Sequence, residues 1–76
     1  MLVLEFTVEP FAEGAPGPHV QAALDAADGQ DLEVEFGPFG TMVRGPDEAV
    51  LAAADRVARA ALEAGATQVS ARISRA

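Results

Sequence analysis

LEVEFGPFGTMVRG, Leu32 to Gly45, reads as two short strands joined at Gly37-Pro38. Leu32, Val34 and Phe36 alternate with Glu33 and Glu35, the period-two signal of a strand with one buried face. Beyond the break, Phe39, Thr41 and Val43 share one face, and Met42 and Arg44 take the other. Thr41 therefore stands as a polar residue among apolar neighbours on the side that faces a core. Proline is poor at the second central position of a type I turn, so the joint is expected to need a bulge or a longer loop.

Upstream, Leu2, Leu4, Phe6 and Val8 alternate with Val3, Glu5, Thr7 and Glu9, a first strand that Pro10 ends. Phe11 to Pro18 is a loop by its glycines and prolines, too short to link two domains. Pro16 or Pro18 can open a helix, because a first-turn proline lacks only an N–H that has no intrahelical partner. Val20, Ala23, Leu24 and Ala27 then form its apolar stripe, and Gly29 is expected as a left-handed cap. Downstream, Pro46, Asp47 and Glu48 open a second helix, with the acids set against the positive end of its dipole. Val50, Leu51, Ala54, Val57, Ala58, Ala61 and Leu62 are its expected buried stripe, and Gly65 its end. Thr67 to Ile73 is the last strand.

The order is β-α-β-β-α-β, which predicts an α+β, ferredoxin-like fold for the single domain 1–76. Right-handed crossovers give an antiparallel sheet of order 4-1-3-2 with both helices on one face. The expected core is Leu4, Phe6, Val34, Phe36, Phe39, Val43, Val69 and Ile73 under Leu24, Leu51, Ala54, Val57 and Leu62. The outer face then carries Val3, Glu5, Met42, Arg44 and Arg72, with Glu5 expected to meet Arg44 and Arg72 on either side. These five residues are a candidate interface for a second subunit; the plainer alternative is a solvated face of paired charges.

Composition removes several function classes. Cysteine is absent, which excludes disulfides, thiolate catalysis and cysteine-ligated metal centres. A net charge of -7 with no lysine argues against nucleic acid and against an anionic membrane surface. The apolar runs are far shorter than a membrane span, and no basic leader opens the chain, so the expected location is the cytoplasm. Without asparagine, cysteine or a second histidine, and with scattered carboxylates, no catalytic or metal-ligating set emerges and no cofactor is expected. A domain of this size buries only roughly 60% of its unfolded surface, so assembly into oligomers is a natural source of stability.

EFTVEP at Glu5 to Pro10, Pro18-His19-Val20, GPFGT at Gly37 to Thr41, Gly45, and GATQVS at Gly65 to Ser70 together resemble the thiamine-binding ferredoxin-like family. The resemblance spans essentially the whole chain. It implies a non-catalytic cytoplasmic protein that binds thiamine or its hydroxymethylpyrimidine moiety and pairs through its sheets into a homo-dimer or homo-tetramer. Two positions depart from the family pattern. Gln30-Asp31 stands where relatives commonly have Ser-Gly, and Arg44 where they commonly have glutamate; both lie near polar positions that could shape a ligand site.

Thr41 is the first candidate ligand contact, since its hydroxyl both donates and accepts; the alternative is a bond to a nearby backbone carbonyl. Thr7 is the second, against a plain strand threonine. Phe39 offers a ring to stack on a pyrimidine, against an ordinary core phenylalanine. His19 sits at a helix start, against a lone surface histidine. Glu5 and Glu9 offer attraction to a thiazolium cation. The alternative function is a structural or regulatory module that meets partner proteins through its sheet face.

Overall fold

The computed structural model describes residues 1–10, 17–37 and 40–76. Its elements are β1 (Leu2–Glu9), α1 (Pro18–Ala27), β2 (Glu33–Gly37), β3 (Gly40–Gly45), α2 (Asp47–Glu63) and β4 (Gln68–Arg75). All sheet pairings are antiparallel, in the order β2-β3-β1-β4, which is the expected order read from the other edge. β1 is central. Leu4 lies opposite Val43 on one side and Ile73 on the other, and Phe6 lies opposite Thr41 and Ala71. The hairpin closes with Gly37 opposite Gly40, so only Pro38 and Phe39 separate the paired strands. The expected bulge or longer loop falls on these two residues. Pro38 and Phe39 themselves lie outside the described residues.

Helices begin and end for recognisable reasons. Pro18 occupies the first turn of α1, behind Gly17 as N-cap. Pro46 is the N-cap of α2 rather than its first residue. Asp47 then accepts from the amino group of Met1 at 3.1 Å and from Arg75 at 3.1 Å. Those two hydrogen bonds hold its carboxyl below the ordinary carboxylate range, the amino group contributing most. At the far end, Ala66 N–H donates to Ala61 O at 2.9 Å and Gly65 N–H to Leu62 O at 3.3 Å. This is the paired-bond ending that favours glycine at the residue past the cap, and Gly65 has φ 109°.

The core is narrower than the sequence pattern suggests. Leu2, Leu4, Phe6, Val8 and Val43 from the sheet meet Ala23, Ala27, Val50, Val57 and Ala61 from the helices. Val34 and Phe36 were expected there and are exposed. They face the helix side, but β2 is the sheet edge, and α1 packs on β1 and α2 instead of covering it. Ile73 is exposed on the opposite edge strand. Leu51 and Leu62 are also exposed, and Leu24 is half-buried. The buried stripe of α2 is Val50, Ala53, Val57 and Ala61. Small residues win the interior because α1 and α2 pack closely on one another, and alanines permit that approach. Leu51 and Leu62 are eleven positions apart, close to three helical turns, so both fall on the flank turned outward.

The left-handed position after α1 is Asp31, at φ 65°, and not Gly29. This gives the Gln30-Asp31 departure a backbone meaning: glycine takes that conformation at no steric cost, and aspartate tolerates it. Close by, a Cβ on buried Gly45 would meet the Asp31 carbonyl oxygen at 2.7 Å and Leu32 Cδ2 at 2.8 Å. Gly45 thus lets the end of β3 pass beneath the turn that starts β2. Urea denaturation should find Asp31→Gly more stable by up to about 1 kcal/mol. Gly45→Ala should be less stable by about 1–3 kcal/mol, since the obstructing atom is backbone.

Candidate functional site

The register places one row of side chains across the helix side of the sheet: Phe6 from β1, Thr41 from β3 and Phe36 from β2. Phe6 and Thr41 are buried, whereas Phe36 is 60% exposed. A pocket of about 220 Å³ lies against this row. Val20, Ala23 and Leu24 of α1 form one wall, Val8 extends the strand wall, and Glu9 stands at the end of β1. The pocket is apolar apart from the two threonines and Glu9. Its size and lining suit a flat ring with a few polar substituents.

Thr41 and Thr7, expected as ligand contacts, both line this pocket. Among the described residues no buried side-chain nitrogen or oxygen lacks a hydrogen-bond partner, so the Thr41 hydroxyl is not an orphaned group. Thr7 is exposed, and Gly40 packs against it: a Cβ on Gly40 would come within 3.1 Å of Thr7 Cγ2 and 3.0 Å of the Phe6 carbonyl oxygen. The start of β3 can therefore lie directly on β1 at the pocket. Phe39 lies outside the described residues. His19 lies apart from the lining; its Nε2 pairs with the carbonyl oxygen of Pro10 and ties the first turn of α1 to the end of β1. Phe36 and Leu24 are lining residues that the sequence reading placed in the core. The alternation that marked Phe36 as facing the helices is correct, but nothing in its own strand reveals that the helices stop short of it.

Glu9 is held by its backbone. Its carbonyl accepts from Thr67 N–H at 2.8 Å and from Thr67 Oγ1 at 3.2 Å, which fixes the end of β1 to the start of β4. Among the described residues it is the only charged residue that lines the pocket.

The outer face of the sheet carries a larger and more open cavity, about 430 Å³, lined by Glu5, Thr7, Met42, Ser70 and Arg72 among others. Val3 lies on this face between Arg44 and Ser74 and is buried, and Met42 is half-buried. Glu5 lies opposite Met42 and Arg72; Arg44 lies opposite Val3 and Glu33. The expected Glu5–Arg44 neighbourhood is thus displaced by two residues along the strand. Among the described residues the ion pairs join Asp47 to Met1 and Arg75, and Asp55 to Arg59. The two arginines of the outer face close none with Glu5. Among the described residues no group of acidic and histidine side chains could hold a metal ion, and no helix is long and apolar enough to cross a membrane.

A family model described as thiamine-binding protein matches residues 4–74. No curated protein matches the chain. Among solved structures, the chain is similar to a domain of unknown function, DUF77, from Bacillus cereus. That likeness has a TM-score of 0.69 and 24% identity over 96% of this chain and 71% of the other. It is also similar to a hypothetical protein from Methanocaldococcus jannascii, with a TM-score of 0.64 and 24% identity over 95% of this chain and 74% of the other. At 24% identity these two likenesses establish the fold and nothing finer.

The contrast between Phe6 and Phe36 is measurable as stability. Phe6→Ala should cost about 3–5 kcal/mol in urea denaturation, the loss expected of a buried phenylalanine. Phe36→Ala should cost less than about 1 kcal/mol, because its ring packs on little.

Proposed function

The chain belongs to the thiamine-binding protein family, and from that premise we propose that it is a non-catalytic small-molecule-binding protein for thiamine or its hydroxymethylpyrimidine moiety. The observation that carries the reading is the pocket between α1 and the Phe6–Thr41–Phe36 row. An aminopyrimidine is flat and apolar on its faces and both donates and accepts at its edge. The pocket offers apolar and aromatic walls with a threonine hydroxyl beside them. Thr41 is the proposed edge contact and Thr7 a second. The part assigned to Phe39 in the sequence reading falls more naturally to Phe36. His19 is proposed to position the first turn of α1, a wall of the pocket, through its bond to Pro10. The strongly negative net charge favours a ligand that carries positive charge.

The protein is proposed to work in the cytoplasm as a homo-oligomer built on the outer sheet face, through Val3, Glu5, Met42, Arg44 and Arg72. Charge arrangement supports this. Glu33 and Glu35 lie on the β2 edge and Arg72 on the β4 edge. A second copy stacked face to face about a twofold axis parallel to the strands sets β2 of one subunit over β4 of the other, acid over base. The same partly buried apolar residues, Val3 and Met42, favour a second reading, an interaction module that meets a different protein with this face.

Two measurements check these readings. Calorimetric titration with thiamine and with hydroxymethylpyrimidine at up to millimolar concentration should give saturable heat, and Thr41→Val should weaken it about fivefold or more with little change in thermal stability. No heat from either compound would overturn the ligand; unchanged binding in the variant would remove Thr41 from the site. Separately, light scattering should give a dimeric or tetrameric solution mass that falls in Arg72→Glu. A wild-type protein that is monomeric throughout would overturn the stacking.

A further inference from the structure

The pocket holds two features that a site for a neutral pyrimidine does not require. One is Phe36, whose ring is 60% exposed although it stands in the row that faces the helices. An exposed aromatic face at a pocket wall attracts a positive charge placed over it, by an amount equivalent to a few-fold in affinity. The other is Glu9, the only charged residue among the described residues of the lining. Its carbonyl accepts the two bonds from Thr67, which fixes the backbone from which the carboxylate extends beside the pocket. Both features act on the same sign of charge. Phe36 stands on the helix side; Glu9 shares the outward phase of β1 with Glu5 but lies at the strand's end, where it borders this pocket and not the outer cavity lined by Glu5 and Arg72.

We infer that the pocket discriminates by charge, preferring aromatic cations to neutral rings of the same shape, with Phe36 and Glu9 as the specificity-determining residues. This rests on the proposed ligand class and deepens it. In the preferred ligand, a flat ring occupies the apolar floor beside Thr41, and a permanently cationic group joined to it reaches the Phe36 face and the Glu9 carboxylate. Thiamine has that form, with a thiazolium linked to an aminopyrimidine. The free hydroxymethylpyrimidine keeps the ring and lacks the cation. A phosphate ester of thiamine cancels the cation and is disfavoured for the same reason.

The ratio of affinities for thiamine and for hydroxymethylpyrimidine, measured by calorimetry at mildly alkaline pH where the aminopyrimidine is neutral, tests the inference. Wild-type protein should bind thiamine more tightly, and added salt should weaken thiamine while leaving the pyrimidine alone. Glu9→Gln and Phe36→Leu should each weaken thiamine roughly two- to fivefold and leave the pyrimidine within about twofold. Glu48→Gln makes the same change in net charge at the exposed start of α2, outside the pocket lining, and should move neither. Equal wild-type affinities would overturn the inference while the ligand class stands. So would a loss of thiamine binding in Glu48→Gln as large as in Glu9→Gln, because the preference would then belong to the overall charge. Binding of neither compound by the wild type would overturn the ligand class and the inference together.

Discussion

β1 is hydrogen-bonded along both edges, and its register fixes the molecule. Because Leu4 sits between Val43 and Ile73, and Phe6 between Thr41 and Ala71, the even-numbered residues of β1 must all face the helices. A shift of one residue would carry Glu5 and Thr7 into the core and expel Leu4, which is fully buried. The same register delivers Thr41 to a place beside Phe6, and the hairpin delivers Phe36 to its other side. The pocket is thus a product of strand pairing in a central sheet. Thr41 is held by the most constrained part of the fold, and only the pocket's rim is left to edges and termini.

The helix layer explains the rest. Two helices with alanines at their contacts pack closely, and a close pair covers less sheet than a pair spread by large side chains. The sheet has four strands, and the buried cluster draws fully on β1 and on Val43 of β3. The edge strands receive partial cover. Leu51, Leu62, Val34, Phe36 and Ile73 are all large apolar residues left exposed by that economy. Some of this surface opens the pocket.

Much of the architecture was legible in the sequence because it depends on period. Strand alternation, the two amphipathic stretches and the Gly-Pro boundaries give the element order, and connection length with handedness gives the sheet order. The family resemblance added the family, which the match over residues 4–74 shows. What period does not report is depth. Phe36 and Phe6 have the same phase in their strands, yet one is at the sheet edge and the other at its centre. Helix phase is also soft by about one position when alanine and leucine compete for the interior, which is why Ala53 was missed and Leu51 chosen. Thr41 stood out because its polarity broke a pattern. Glu9 did not, since a glutamate on the outward phase of a strand looks ordinary until the pocket beside it is known.

An edge strand with a bare aromatic ring is a hazard in a crowded solution, because unpaired backbone N–H and C=O groups invite another chain to add on. β2 carries that hazard at Phe36 and answers it within the same five residues. Glu33 and Glu35 flank Val34, and Glu35 precedes Phe36, so a second copy laid in register would stack carboxylate on carboxylate. The acidic alternation that first marked this stretch as a strand therefore has a further consequence. It sets like charges against pairing at the open edge, and so permits the ring to stay uncovered.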